Sequence, residues 1–352
     1  MIDTNHEVPL RYRITEIGLL SLHQLFPKSH LLQSLREKLR HRLYCRLENL
    51  RKLQNRRGKI HTIDSYEDLP EEDFKNRYLK HGVPVVFKGA ARNWECTQKW
   101  DFNFLEENYG KDEYTIVGTE GFLTEEEKAT YKISQNESAG KVSLEQFIRD
   151  QRAGKPSNLR FCPLLEVHPE LQDDLNKNWL LKRSICNLGY GFQAFISGKG
   201  KVSKTHNAMT AFHFIQTEGK KKWTFYPQAY FPLLKLAPER KGYFFSKIEP
   251  KHLEDLSSDY NLLDCYQVIL EEGDVLYGPT WMWHHVENLE DSIGISYRFT
   301  HLGGALKFSF GMTFLRVFLA KPNFLQILFD SFFGKKVTER DRNLKQPKMY
   351  LD

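Results

Sequence analysis

The chain has 352 residues, of which 40% are hydrophobic and 27% charged, with a formal net charge of +6. That is enough apolar sequence for a substantial core, and it excludes a disordered or low-complexity protein. The modest positive excess permits acidic partners without requiring them.

Much of that excess lies in residues 1–60, around "REKLRHRLYCRLENLRKLQNRRGK", where Leu20, Leu25, Leu31, Leu32, Leu35, Leu39, Leu43, Leu47 and Leu50 recur mostly every three or four residues. This spacing predicts a basic amphipathic helical extension, broken near Pro27, packed on the main domain with its basic face solvated. Tyr44 is the only aromatic residue among those basic positions, too little for a row of base-stacking platforms, so there is no strong nucleic-acid signal. The amino-terminal "MIDTNHEVPLRYRITEIG" carries charges where a secretory signal needs an apolar run. Cys45, Cys96, Cys162, Cys186 and Cys265 are scattered with no close pair, which suggests neither a zinc pattern nor a disulfide framework. The expectation is a cytoplasmic protein with no transmembrane segment.

Residues 61–300 read as one domain that opens with helical elaboration and has its core at about 186–300. The run "GVPVVFKGAARNW" is a β-branched strand closed by Gly89. From Asn187 onward, short strands such as "GFQAFISG", "AFHFIQTEG", "KWTFYP", "CYQVILEEGD" and "IGISYRF" are separated by turn residues. Closely spaced strands of this kind predict a mainly β sandwich or barrel, not a parallel sheet with crossover helices. Residues 301–352 predict a C-terminal helical extension. Its apolar run is interrupted by Lys307, Arg316, Lys321, Pro322 and Asp330, which suits core packing or a homodimer interface better than a membrane span.

Two histidines stand beside aromatic strands far apart in sequence, as ligands from opposite strands of a barrel would: His206 in "KTHNAM" and His284 in "GPTWMWHHVENL". The first block continues with Ala208, Gly219, Lys221, Trp223 and Pro227. The second comprises Gly273, Asp274, Pro279, Trp281, Trp283, His284, Val286 and Asn288. Together with "PVVFKGAARNW", these blocks resemble the JmjC and cupin-like iron(II)- and 2-oxoglutarate-dependent oxygenases, in particular the asparaginyl-hydroxylase-like branch. The resemblance covers about residues 83–300. It departs at Ala208, where the family's His-x-Asp places a metal-binding carboxylate.

The resemblance implies a double-stranded β-helix (jelly-roll) with helices outside, mainly β, flanked by the N- and C-terminal extensions. It implies Fe(II) held by His206 and His284, with an open ligand position at Ala208. It also implies 2-oxoglutarate held through Lys221 and Ser203 against Phe214, with Trp223 and Trp283 in the cavity wall. Arg298 and Phe212 stand where relatives carry smaller or polar residues, and are candidates to contact cosubstrate or substrate. Strand alternation turns His285 away from His284, and turns His213 away from Phe212 and Phe214. Glu218, just before a turn, reads as solvated. Water, a substrate group or chloride can fill the open position.

The implied function is an oxygenase that hydroxylates an unactivated C–H bond of an amino-acid, peptide or small-molecule substrate. A halogenase using the open site and a non-catalytic binding module are the alternatives.

Overall fold

The structure, a computed structural model, describes residues 8–26, 29–53, 58–115, 141–155, 158–185, 191–237, 244–246 and 263–319. Six strands precede the central run: β1 (Ile60–Thr62), β2 (Ser65–Tyr66), β3 (Val85–Phe87), β4 (Glu113–Thr115), β5 (Lys141–Ser143) and β6 (Asn158–Cys162). The central run begins with β7 (Gly191–Ser197), β8 (His206–Asn207), β9 (Ala211–Glu218), β10 (Lys221–Tyr226), β11 (Leu236–Ala237) and β12 (Phe244–Ser246). It closes with β13 (Cys265–Leu270), β14 (Val275–Gly278), β15 (Trp283–Asn288) and β16 (Ser292–Phe299).

Two seven-stranded sheets result, in the orders β1-β13-β10-β15-β8-β12-β11 and β2-β3-β14-β9-β16-β7-β6, with β4 and β5 forming a separate pair. The chain changes sheet between β8 and β9, β9 and β10, β13 and β14, β14 and β15, and β15 and β16. This repeated crossing winds a double-stranded β-helix, mainly β with flanking helices.

Period-two alternation divides the side chains into an inside and two outsides. Phe212, Phe214, Trp223, Phe225, Leu276 and Met282 form the apolar part of the interior. On the outer face of the second sheet, Ala211, Ile215, Ile293, Ile295, Tyr297 and Phe299 pack with Phe74, Phe147, Leu164 and Leu180 of the surrounding helices. The outer face of the first sheet presents Tyr226, Trp283 and Phe244 to a cluster that includes Val8, Leu20, Ala305, Met312 and Leu315, tying both ends of the described chain to the barrel.

Two glycines make room inside the barrel. A Cβ on Gly278 would lie 2.1 Å from the Phe212 ring, and one on Gly294 would lie 2.4 Å from the Phe214 ring. These approaches leave space for a hydrogen only.

The amino-terminal extension forms two helices, α1 (Leu10–Leu25) and α2 (His30–Leu53); Pro27, where a break was expected, lies outside the described residues. The expected fully solvated basic face needs correction, because Arg36 and Arg40 are buried. Arg40 pairs with buried Glu16 at 2.6 Å and also donates to the Leu236 carbonyl on β11, while the Tyr44 hydroxyl donates to Glu16 at 2.9 Å. A charge out of water is tolerated only with such partners, so this arginine fastens the extension to the sheet edge.

At the other end, helices Leu302–Phe308 and Phe310–Phe314 run into a wider helical turn, Leu315–Leu319. They leave Leu302, Leu306, Phe310 and Phe318 exposed. The rest of the predicted tail, residues 320–352, lies outside the described residues. Among the described residues no helix is long and apolar enough to cross a membrane, and Cys45, Cys96, Cys162 and Cys265 are free thiols.

Candidate active site

His206 on β8 stands directly across from His284 on β15 in the strand register, with ring centroids 4.4 Å apart. The Nδ1 of His206 is 2.8 Å from the Lys204 carbonyl, and the Nδ1 of His284 is 3.0 Å from the Met282 carbonyl. A carbonyl can only accept, so in both rings Nδ1 donates and the lone pair resides on Nε2. Burial, then the neighbouring His284 and Arg160, hold His206 well below its ordinary pKa. Burial likewise lowers His284 to about 4. Both imidazoles are therefore neutral at physiological pH, the form a metal needs.

The pair opens into a recess between the sheets. Lys221 enters it from the start of β10 and is 2% exposed. Its Nζ donates to Asn288 Oδ1 at 2.8 Å and lies 5.8 Å from the centroid of Phe214. Asn288 is itself fixed, donating to the Lys201 carbonyl at 2.7 Å and accepting from the Ser292 hydroxyl at 3.1 Å. Burial, with Arg160 adding to it, lowers the Lys221 pKa to about 7. Among the described residues no aspartate or glutamate lines the recess.

Ser203 lines the same space. Its hydroxyl accepts the Val286 N–H at 2.8 Å, which leaves its own proton to donate. The apolar wall is Phe212, Phe214 and Trp223; the Trp223 ring lies 4.9 Å from Phe214 and 5.6 Å from His284.

The opposite wall is also cationic. Arg298 comes from β16, in register with Phe212 on β9, and Arg160 comes from β6. On β6, Leu159 pairs with Ile196 and Cys162 with Ala194, so Arg160 and Phe161 together oppose the single residue Phe195. This is a β-bulge, and Phe161 within it has φ 53°, a left-handed conformation that disfavours a side chain and re-aims its neighbours. The Phe161 ring lies under both guanidinium groups, 5.2 Å from that of Arg160 and 5.6 Å from that of Arg298.

Of the residues expected at the site, His206, His284, Lys221, Ser203, Phe212, Phe214, Trp223 and Arg298 all line this recess. Trp283 does not. It points the other way and packs with Tyr226, Trp281 and Met312, because it neighbours inward-facing His284 on a pleated strand. Ala208 is buried and its carbonyl accepts from the Trp281 N–H at 2.7 Å, but it is not among the lining residues.

His285 turns outward toward Thr205 and Tyr226. His213 turns outward too, stacked on Phe299 at 5.4 Å with Nε2 donating to the Arg183 carbonyl at 3.2 Å. Glu218 is half-buried, not solvated, and burial raises its pKa to about 7. Asn158, Arg160, Asn288 and Ser296 also line the recess, beyond the residues singled out from the sequence. Of these, only Asn288 lay inside a motif that marked it.

Among the described residues no cluster of three or more His, Cys, Asp or Glu side chains is placed to hold a metal. The donor set here is two neutral imidazoles. That fits a metal taking two protein ligands and oxygen donors from elsewhere, and it falls one carboxylate short of a facial triad.

The sequence profile described as a cupin-like domain matches residues 70–303, more than half of the chain. Similarity extends to lysine-specific demethylase JMJ30 of Arabidopsis thaliana, 24% identical over 249 residues, covering 67% of this chain and 54% of that protein. Lysine-specific demethylase 8 of Xenopus tropicalis is 25% identical over 260 residues, covering 68% and 54%. The 2-oxoglutarate and iron-dependent oxygenase JMJD4 of Mus musculus is 23% identical over 256 residues, covering 65% and 58%. The chain thus spans little more than half the length of these relatives.

Proposed function

Because the chain belongs to the cupin-like domain family, we propose that it is an iron(II)- and 2-oxoglutarate-dependent oxygenase acting on an unactivated C–H bond of an amino-acid, peptide or small-molecule substrate. The observation that carries this reading is Lys221. A buried ammonium whose hydrogen-bond partner is a neutral amide, in a recess without a carboxylate, is costly until an anion meets it. A dicarboxylate anchored at Lys221 and reaching the histidine pair satisfies that requirement.

In this reading His206 and His284 hold the metal through Nε2, their orientation fixed by the two backbone carbonyls. Iron with 2-oxoglutarate supplies the oxidation of the C–H bond, with succinate and carbon dioxide as coproducts. Lys221 neutralises the distal carboxylate, and Ser203 donates its proton to the same group. Phe212, Phe214 and Trp223 exclude water and align the cosubstrate. The ligand that an Asp at position 208 would supply comes instead from water or a substrate oxygen. No feature of the lining favours chloride over these.

One observation favours a second reading. With two imidazoles and no carboxylate lining the recess among the described residues, the protein is equally built as a binding module that takes the dicarboxylate without turnover. Anaerobic addition of Fe(II) and 2-oxoglutarate decides between them. The oxygenase reading expects a visible metal-to-ligand charge-transfer band, lost in His206→Ala and weakened about tenfold or more in apparent affinity by Lys221→Ala. A folded parent protein that binds 2-oxoglutarate and gives no band supports the module and overturns the oxygenase. For the exposed apolar positions of the C-terminal helices we propose self-association, read as solution mass by light scattering.

A further inference from the structure

Among the described residues Lys221 is one of three cationic side chains that line the recess; the other two stand on the opposite wall, on strands of the other sheet. Arg298 follows the inward alternation of β16. Arg160, like Asn158 two residues before it, faces the recess by the alternation of β6, and the bulge adds Phe161 opposite the same residue, Phe195. A left-handed Phe161 costs backbone energy, and its ring then underlies both guanidinium groups. The strained residue thus supplies a shared aromatic platform for two arginines of the recess wall.

A second, independent observation lies next to them. Gln193 on β7 is 1% exposed, and neither its Oε1 nor its Nε2 has a hydrogen-bond partner among the described residues. Its strand neighbours Phe195 and Ser197 face the recess, as does Ser296, which pairs with it in register. Gln193 shares that inner face without itself being among the lining residues, and a buried carboxamide with both ends unmet is a standing cost that a ligand or water reaching it relieves.

We propose that Arg160 and Arg298, with Gln193 and Ser296 beside them, form a second anion subsite that receives a carboxylate of the substrate. This rests on the reading above, in which 2-oxoglutarate occupies the Lys221 side, and it narrows the substrate class to carboxylic acids. Two planar guanidinium forks match a planar carboxylate, and the carboxamide adds both a donor and an acceptor at its edge. The bound acid brings negative charge to a metal site that lacks its usual carboxylate, so substrate binding also tightens the metal.

The test uses the full chain as the anaerobic Fe(II)–2-oxoglutarate complex, titrated calorimetrically with glutarate, with its uncharged diamide and with inorganic phosphate. Glutarate is expected to bind without loss of the charge-transfer band, and the diamide not to bind. Arg160→Gln and Arg298→Gln are each expected to weaken glutarate about tenfold or more, while 2-oxoglutarate affinity, which also reports folding, is retained. Glutarate binding that survives both substitutions overturns the proposal, as does a preference for phosphate, or a loss of 2-oxoglutarate affinity matching that of Lys221→Ala.

Should the parent form no iron complex, glutarate is titrated into the metal-free protein. Two equivalents are expected, one removed by Lys221→Gln and the other by Arg298→Gln. The oxygenase reading has already failed in that case; loss of one site in Arg298→Gln leaves the subsite standing, and retention of both sites in Arg298→Gln sinks the subsite as well.

Discussion

His284 and His285 are adjacent, equally buried and both held far below the ordinary imidazole pKa, yet one faces the recess and the other an apolar outer layer. The same contrast separates His206, in the recess, from His213, packed against Tyr277, Tyr297 and Phe299. Burial and a depressed pKa therefore do not mark a site. What distinguishes the inner pair is that each Nδ1 is bound to a carbonyl two residues earlier in the chain, presenting Nε2 to the partner ring's side of the barrel.

The sharpest way to break this contrast is to remove the adjacent histidines one at a time. His284→Ala is expected to lower iron affinity roughly a hundredfold, whereas His285→Ala leaves it unchanged. Equilibrium dialysis against Fe(II) under nitrogen reads both, and equal losses would mean that the strand is turned the other way.

Stability should reverse the ranking. His213→Ala removes a ring stacked among aromatics and is expected to cost about 3 kcal/mol in denaturant unfolding, with metal affinity intact. A loss of metal without a loss of stability would place His213 at the site. The wild-type ring adds a pH signature. Its folded pKa of about 3 lies below the unfolded value, so the unfolded chain binds more protons in that window. Stability therefore falls as pH drops from about 6.5 toward 3.

The smallest effect concerns Lys221 beside solvent-facing Lys222. With Lys221 lowered to about 7 in the free protein, the unfolded chain binds more protons between 7 and 10.5, and folding gains stability as pH rises through that window. An anion on Lys221 restores the charge, so 2-oxoglutarate binding at pH 8.5 should take up about one proton, seen as buffer-dependent heat. Lys222→Gln should retain that uptake and Lys221→Gln should lose it. Uptake that persists without Lys221 would assign the proton elsewhere.

Much of this was legible in the sequence because strands with one face buried announce themselves by alternation. Phe212, Phe214, Lys221, Trp223 and Arg298 all fall on the inner face that the pattern gives them. Trp283 was misplaced because its motif neighbour His284 drew it inward against that same alternation. Glu218 looked solvated because it precedes a turn, while Asp101 and Phe102, far away in sequence, stand beside it and burial raises its pKa. Arg160 carried no readable signal. It lies on a five-residue edge strand whose bulge breaks the period of two on which strand recognition depends. The missing carboxylate at Ala208 was plain in the sequence, but the two arginines proposed to receive a ligand's carboxylate come from strands of the other sheet, and only the fold brings those together.

The two glycines under Phe212 and Phe214 give the protein a shutter that no polar residue controls. Any side chain at position 278 or 294 displaces a phenyl ring that lines the recess, since the rings now occupy the volume of the missing Cβ atoms, and the displaced ring competes for the space a ligand needs. Ligand capacity can therefore be lost in a single codon while every histidine, lysine and arginine stays in place, and regained by the reverse step. Sequence comparison by functional groups alone would score such a closed barrel as intact.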